Sequence, residues 1–302
     1  MPLIIPNKLP AADSLKNENI FTMEYARAVS QDIRPLRILI VNLMPTKIAT
    51  ETQLARVLAN TPLQVELTLL CMDSHESLNT AQEHLNTFYK TLPEVINERF
   101  DGMILTGAPV ETIPFEEVDY WDELCKILEF SKKNVCSNMH ICWGAQAALY
   151  YHYGIDKCMA DAKVFGVFEH KVVRPLNPLM RGFDEVFYAP HSRYTRVKKE
   201  DILEHPEIRI LAESEEAGMH ILATDNGKQI FIFGHQEYDK ETLGLEYFRD
   251  VNKGIPIEVP RNYFKDNDPQ KGALFRWRSH GSLLFSNWLN YYVYQRTPYD
   301  ID

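Results

Sequence analysis

A run of nine residues, R-I-L-I-V-N-L-M-P (37–45), limits the folds open to this chain more than any other feature. Its apolar residues do not alternate with polar ones, so a strand built from it has no face to give to water. Such a strand belongs inside a sheet covered on both sides. Further strands are read in L-Q-V-E-L-T-L-L-C (63–71), in F-D-G-M-I-L-T-G-A-P-V (100–110), which runs into a Gly-Pro turn, and in N-V-C-S-N-M-H-I (134–141). Between these strands the spacing turns helical: at about 47–60, with Leu54, Val57 and Leu58 on one face, at about 79–98, and from Phe115 onward through Val118, Trp121, Leu124 and Leu128. Alternating strands and helices predict an α/β protein with a mostly parallel sheet flanked by helices on both faces.

The second half changes character. V-F-G-V-F-E-H-K-V-V (164–173), D-E-V-F-Y-A (184–189) and I-R-I-L-A-E-S (208–214) read as strands with shorter links. Residues 219–237 read as a hairpin whose Asn226-Gly227 pair suits a type I′ turn. Helices are predicted at about 240–253 and 273–295. Residues 1–35 read as an irregular N-terminal arm with one short helix around Met23–Val29, and about 255–302 as a C-terminal helical extension. With no repeat, low-complexity tract or linker, one domain over 1–302 is the expected organisation.

Charge and cysteine usage narrow the function. A net charge of −10 without a basic block gives no surface to neutralise nucleic-acid phosphates. The start M-P-L-I-I-P-N-K-L-P lacks a signal peptide's charged head and long apolar centre. No apolar run approaches the roughly 18 residues of a membrane helix. The five cysteines, Cys71, Cys125, Cys136, Cys142 and Cys158, are odd in number and form no C-x-x-C pair, so neither a disulfide framework nor a zinc site is expected. Reducing cytoplasm is the expected location, where a free thiol is either buried filler or a nucleophile.

Cys142 has the context of a nucleophile. It ends an apolar strand and the chain turns at once into the small-residue helix W-G-A-Q-A-A-L, which stops at Gly154. A side chain at that elbow stands above the sheet beside a helix N-terminus, whose partial positive charge favours thiolate. Gly144 suits the close packing such a turn needs, although His140 sits where many elbows carry glycine. The base comes from F-I-F-G-H-Q-E-Y-D (231–239), where a strand ends and His235 and Glu237 follow two apart. On an extended chain both side chains point the same way, so the acid can orient the imidazole. His140, His152, His191 and His280 are read as structural.

A strand-end cysteine followed by a strand-end His-x-Glu resembles the class I glutamine amidotransferase fold, of flavodoxin-like architecture, in which those residues form a triad. C-W-G-A-Q-A-A-L with Y-G-I-D-K after it, V-N-L-M-P-T-K, M-D-S-H, D-G-M-I-L-T-G-A-P-V-E, A-P-H-S-R-Y and G-H-Q-E-Y look more specifically like the homoserine O-acyltransferases of methionine biosynthesis. The resemblance covers nearly the whole chain in the right order.

That resemblance implies ping-pong acyl transfer from an acyl-coenzyme A to L-homoserine, without a cofactor or a metal. It makes Cys142 the acyl carrier, His235 the base and Glu237 its orienting acid, with the Trp143 N–H and an N–H near Gly107-Ala108 as the oxyanion hole. It implies substrate contacts at Lys163, Ser192 and Arg249, the arginine being suited to a carboxylate. It also makes the residue after G-A-P-V decide the acyl donor, with glycine accompanying succinyl transfer; here that residue is Glu111. A succinyl carboxylate about 4 Å from a second carboxylate costs on the order of 4 kcal/mol at an effective dielectric near 20, so acetyl-coenzyme A is the expected donor and succinyl-coenzyme A the alternative. A glutamine-hydrolysing amidotransferase, a related cysteine hydrolase and a non-catalytic binding module are the other readings of the same residues. A homodimer is a common state for small metabolic enzymes, and the sequence leaves it open.

Overall fold

A computed structural model describes residues 3–298 other than 7, 19, 21, 29–32 and 75–78. Its strands are β1 (Leu3–Ile4), β2 (Thr22–Met23), β3 (Leu36–Val41), β4 (Val65–Leu70), β5 (Tyr89–Lys90), β6 (Phe100–Leu105), β7 (Val135–Ile141), β8 (Lys157–Val172), β9 (Val186–Val197), β10 (Ile208–Ser214), β11 (Gly218–Thr224) and β12 (Gln229–Ile232). They form one sheet in the order β2-β1-β4-β3-β6-β7-β12-β11-β10-β8-β9, with β5 beside β4. From β2 to β12 every neighbouring pair is parallel. From β12 to β9 every pair is antiparallel.

The unbroken apolar run of β3 does what its pattern demands. Ile38 and Ile40 enter one core, with Leu54 and Leu58 of the helix Lys47–Leu58 and Leu284, Phe285 and Trp288 near the C-terminus. Leu39 and Val41 enter the opposite core, with Leu124 and Leu128 of the helix Trp121–Asn134 and Leu149 of the helix Trp143–Tyr153. Each fully buried leucine or isoleucine contributes about 1.5–3 kcal/mol, so both faces hold the strand in place. A third cluster, around Phe165, Leu243, Tyr263 and Trp277, fixes the segment beyond the last sheet strand.

Several elements depart from their sequence patterns. The helix expected over 79–98 is broken into Gln82–Phe88, β5 and Leu92–Val95. Thr91 caps the second piece, its amide and hydroxyl donating to Glu94, and Pro93 cannot continue a helix from upstream. The helix expected from Phe115 opens as a 3₁₀ turn, Phe115–Glu117, and becomes α-helical only at Trp121. The arm is less irregular than expected: β1 pairs with β4, and Ala11–Asn17 is helical. The short helix around Met23–Val29 is strand β2 followed by a turn of helix, Tyr25–Ala28; Val29 lies outside the described residues. Beyond the helix Thr242–Asn252 the C-terminal extension is α-helical only from Arg278, after a 3₁₀ turn at Lys265–Asn267, with a π-helical turn over Trp288–Tyr294.

The β11–β12 connection is not a two-residue type I′ turn. Four residues link the strands, and Gly227 alone among them has a positive φ (59°). The Asn226 side chain accepts from the Lys228 amide and the Thr224 hydroxyl, which favours the longer loop.

Candidate active site

The parallel half of the sheet brings three strand ends together. β7 lies between β6 and β12, in register Leu105 with His140 and Ile232 with Ile141. The chain therefore leaves β6 through Thr106-Gly107 on one side of Cys142 and leaves β12 through Phe233-Gly234-His235 on the other. The Cys142 amide donates to the Ile232 carbonyl at 2.7 Å, which ties the elbow to the strand that delivers the histidine.

Cys142 has φ 53° and ψ −116°, a conformation that a non-glycine residue adopts only when its surroundings enforce it. The next residues enforce it by packing. A side chain at Gly144 would bring its Cβ to 2.5 Å from the Thr106 carbonyl and 2.9 Å from that of Leu105. Glycine there lets the helix Trp143–Tyr153 sit directly against β6, and the turn before it is forced to be sharp. Trp143 is the first helical residue, so its N–H has no intrahelical acceptor and faces the elbow. Its indole is buried against Phe115 and Tyr120 and takes no part in the site.

His235 and Glu237 meet, but not as alternate residues of an extended strand. The Tyr238 amide donates to the His235 carbonyl, so residues 235–238 form a tight turn that folds the acid back onto the ring. His235 Nδ1 donates to Glu237 Oε1 at 2.7 Å, with both side chains buried. The Tyr238 ring stacks on the imidazole at 4.1 Å and 16°. Burial alone would depress the basicity of His235. The negative charges of Cys142 and Glu237, and hydrogen bonds to both, override it and raise the imidazole pKa well above the usual value of 6.5. Thiol, imidazole and carboxylate thus form one connected unit.

The implied substrate residues gather beside this unit. Four residues, 160–163, bulge out of the β8–β9 pairing opposite Tyr194, since Met159 pairs with Thr195 and Val164 with Arg193. Lys163 at the end of that bulge lies over the Phe165 and Tyr194 rings, 3.9 Å from Asp250, and burial lowers its pKa. The Ser192 hydroxyl donates to Glu246 at 2.6 Å, and Arg249 Nε donates to Asp250 at 2.7 Å. Glu246 also accepts from the Tyr238 hydroxyl at 3.1 Å, which connects the cluster to the stacked His235. Glu111 Oε2 accepts from the amides of Tyr194 (2.7 Å) and Thr195 (3.0 Å) and lies 2.9 Å from the Thr195 hydroxyl.

Sequence reasoning missed Glu246, Tyr238 and Thr195. Glu246 was within reach, because it lies three residues before Arg249 and shares its helix face. Tyr238 stands inside the quoted G-H-Q-E-Y motif. Beside the cluster lies a cavity of about 1300 Å³ whose wall includes Lys163, Arg193, Tyr194, Phe233 and Lys198, but none of Cys142, His235 and Glu237.

Three further histidines, His170, His191 and His220, have donor atoms within 4.8 Å of one another, the set among the described residues with metal-ligand spacing. Their nitrogens are largely committed. His170 Nδ1 donates to the Phe168 carbonyl, His191 Nε2 donates to His170 Nε2 at 3.0 Å, and His220 Nδ1 accepts from the Gly234 amide. Burial, reinforced by Arg193 and the other ring charges nearby, pushes all three toward the neutral form. A cation there would face a guanidinium, so the cluster is read as packing beneath Gly234 rather than as a metal centre.

The fold is class I glutamine amidotransferase-like, with a strained cysteine elbow and a His–Glu pair at the neighbouring strand end. Solved structures agree at the level of fold: a glutamine amidotransferase from Thermotoga maritima superposes with a TM-score of 0.55 at 13% identity, over 85% of this chain and 97% of the other. A glutamine amidotransferase from Methylobacillus flagellatus gives 0.53 at 11% identity, over 85% and 95%. Within that class, the family model for homoserine O-succinyltransferase matches residues 2–299, and the chain belongs to that family. Its curated relatives include proteins named homoserine O-acetyltransferase from Clostridium acetobutylicum, 60% identical over 100% of both chains, and from Clostridium novyi, 62% identical over 99% of both. One from Bacteroides fragilis is 56% identical over 100% of this chain and 99% of its own length.

Proposed function

We propose that this chain is an acyltransferase that moves the acetyl group of acetyl-coenzyme A onto the hydroxyl of L-homoserine. The observation that carries the chemistry is the Cys142–His235–Glu237 unit at a strained elbow, in a chain that matches a homoserine acyltransferase family along its whole length. In the first half-reaction the Cys142 thiolate attacks the thioester carbonyl. The bond to coenzyme A sulfur breaks, the departing thiolate takes a proton from His235, and an acetyl-Cys142 thioester remains. In the second, His235 removes the homoserine hydroxyl proton. The oxygen attacks the acetyl carbon, the carbon–sulfur bond to Cys142 breaks, and O-acetyl-L-homoserine leaves. The Trp143 amide, with an amide from the Gly107-Ala108 turn, stabilises the oxyanion in both steps.

Homoserine is a zwitterion with a short hydroxyethyl arm. Arg249 offers its free guanidinium nitrogens to the carboxylate, and Glu246 offers a carboxylate to the ammonium from the same helix face. Ser192 and Lys163 set the orientation of Glu246 and the charge of the pocket. No cofactor is needed beyond acetyl-coenzyme A as co-substrate, and reducing cytoplasm keeps the thiol free.

Acetyl is preferred over succinyl because of Glu111. Its charge is partly balanced by its hydrogen bonds on β9, and it lies in the field of Arg193, Lys157 and Lys163. The penalty on a succinyl carboxylate is therefore smaller than that of a bare pair of charges. It still has the sign that favours a neutral donor, and the relatives' acetyltransferase names point the same way. The succinyl reading rests on the description of the family model alone. The test is competition of acetyl- and succinyl-coenzyme A for L-homoserine, with products resolved by mass spectrometry. Mainly O-acetyl-L-homoserine is expected; mainly the succinylated product would overturn the donor assignment, and glutamine-dependent ammonia release without coenzyme A release would overturn the reaction itself.

A further inference from the structure

Glu111 is held in part by Thr195, a residue that lies outside every quoted motif. Its carboxylate reaches 84 residues along the chain to Thr195 on β9 and accepts both backbone amides there through one oxygen. The Thr195 hydroxyl lies 2.9 Å from Glu111 Oε2 and equally 2.9 Å from Gln146 Oε1. A hydroxyl has one hydrogen, and an ionised carboxylate can only accept. The hydrogen therefore belongs to Glu111, and the Gln146 amide turns its NH₂ toward the Thr195 oxygen. Gln146 is four residues beyond Cys142, on the first turn of the elbow helix. Thr195 is 1% exposed and Gln146 1% exposed, so water cannot replace either bond cheaply. The strand itself is clamped at this point: Arg193, also buried, donates to the carbonyls of Thr195 and Ala217.

We propose that Thr195 is a specificity-positioning residue, its buried hydroxyl locking the Glu111 carboxylate to β9 and, through Gln146, to the helix that carries the nucleophile. The inference rests on the reading that Glu111 selects the acyl donor. A carboxylate on a mobile loop can swing away from an incoming negative charge; one pinned by two amides and a hydroxyl cannot. Discrimination then depends on the pin as well as on the charge. Thr195→Val keeps the shape and removes the hydrogen bond. Thr195→Ser keeps the bond and removes a methyl group.

The experiment compares kcat/KM for acetyl- and succinyl-coenzyme A, with saturating L-homoserine, in the full-length enzyme and in T195V, T195S, E111G and the double variant. The ratio of the two donors within one preparation does not depend on how much of the protein is folded. E111G should shift the ratio furthest toward succinyl. T195V should shift it about tenfold in the same direction, as expected for losing one hydrogen bond to a charged group, and T195S should stay within about twofold of the parent. Adding T195V to E111G should change the ratio no further. A parental ratio in T195V beside a shifted ratio in E111G overturns the role of Thr195 and leaves Glu111 in place. A T195V shift that persists in the E111G background also overturns it, because the effect would bypass Glu111. An unmoved ratio in E111G defeats the donor reading itself and the Thr195 role with it. If T195V proves insoluble, Thr195→Ala carries the same comparison.

Discussion

Gly107 leaves just enough space beside Cys142: a Cβ built on it would stand 3.3 Å from Cys142 Cβ and 3.7 Å from His235 Cε1. The β6 turn therefore forms one wall of the space in which thiol and imidazole meet, and that wall is bare backbone. Gly107→Ala should place a methyl group where the acyl carbonyl must pass. We expect kcat/KM for coenzyme A release to fall about 10- to 100-fold, because displacements of an ångström at a reacting centre cost that much. The melting temperature should move little, since the contact is tight but not overlapping. Initial rates with a thiol-reactive dye, beside a thermal melt, check both; an unchanged rate would place the acyl group elsewhere.

Glu237 acts on His235 through a single 2.7 Å bond, and its second oxygen, Oε2, is buried without a partner. Glu237→Gln keeps the volume but offers the imidazole an amide that can hold it in the wrong tautomer. The fall in kcat should be about 10²- to 10⁴-fold, by analogy with an amide replacing the acid of a serine triad. Because burial opposes the charged ring and Glu237 is one of the groups that overcome it, the His235 pKa should also drop in E237Q. Histidine NMR titration reads that shift directly. A raised or unmoved His235 pKa would remove Glu237 from the unit.

The buried histidines give the fold an acid-sensitive limb. His140 is fully buried on β7, bonded to Gln229 at 2.7 Å, and burial pushes its pKa down to about 4 from 6.5. Below pH 6.5 the unfolded chain takes up a proton that the folded chain refuses, so this contribution to stability is present above 6.5 and is lost as pH falls toward 4. At pH 5 the loss is about 1.5 pH units, roughly 2 kcal/mol at about 1.4 kcal/mol per unit. His152 and His170, each pushed down to about 3 by burial, have the same sign. Urea unfolding at pH 7 and pH 5 should show the parent losing about 2 kcal/mol more than His140→Gln. Equal losses in both proteins would mean that His140 takes its proton without unfolding.

What the sequence made legible follows the range of the forces involved. The two-faced apolar run of β3 and the strand-to-helix switch at Cys142 are local patterns, and both stand where they were read. The expected helix over 79–98 failed because Thr91 and Pro93, single residues with strong backbone effects, outweigh a periodicity summed over many weak ones. The Asn226-Gly227 turn failed because the Asn226 side chain found two local partners. Glu246 with Ser192 and Thr195 with Glu111 are separated by 54 and 84 residues, so only the packing of β9 against the helix Thr242–Asn252 and against the loop after β6 brings them together. His235 and Glu237 were paired correctly for an incorrect reason: a turn, not strand alternation, aligns them.

The proposed role of Arg249 can be tested on one half-reaction apart from the other. Arg249 is half-exposed on the helix Thr242–Asn252, and Asp250 holds its Nε, which leaves the two terminal nitrogens as a fork for a ligand. That fork matches a carboxylate in two parallel bonds, which a lysine ammonium cannot reproduce. If it grips the acceptor, Arg249→Lys should raise KM for L-homoserine about 10- to 100-fold, the range for losing a charge-assisted bond. In the proposed ping-pong order acetyl transfer to Cys142 precedes homoserine binding, so the burst of coenzyme A release in the absence of homoserine should change less than about twofold. Rapid-quench measurement of that burst, set beside steady-state KM, distinguishes the cases. A parental homoserine KM would assign the carboxylate to Lys163 instead. A burst lost in parallel with KM would mean that Arg249 supports the donor site or the fold, and not the acceptor.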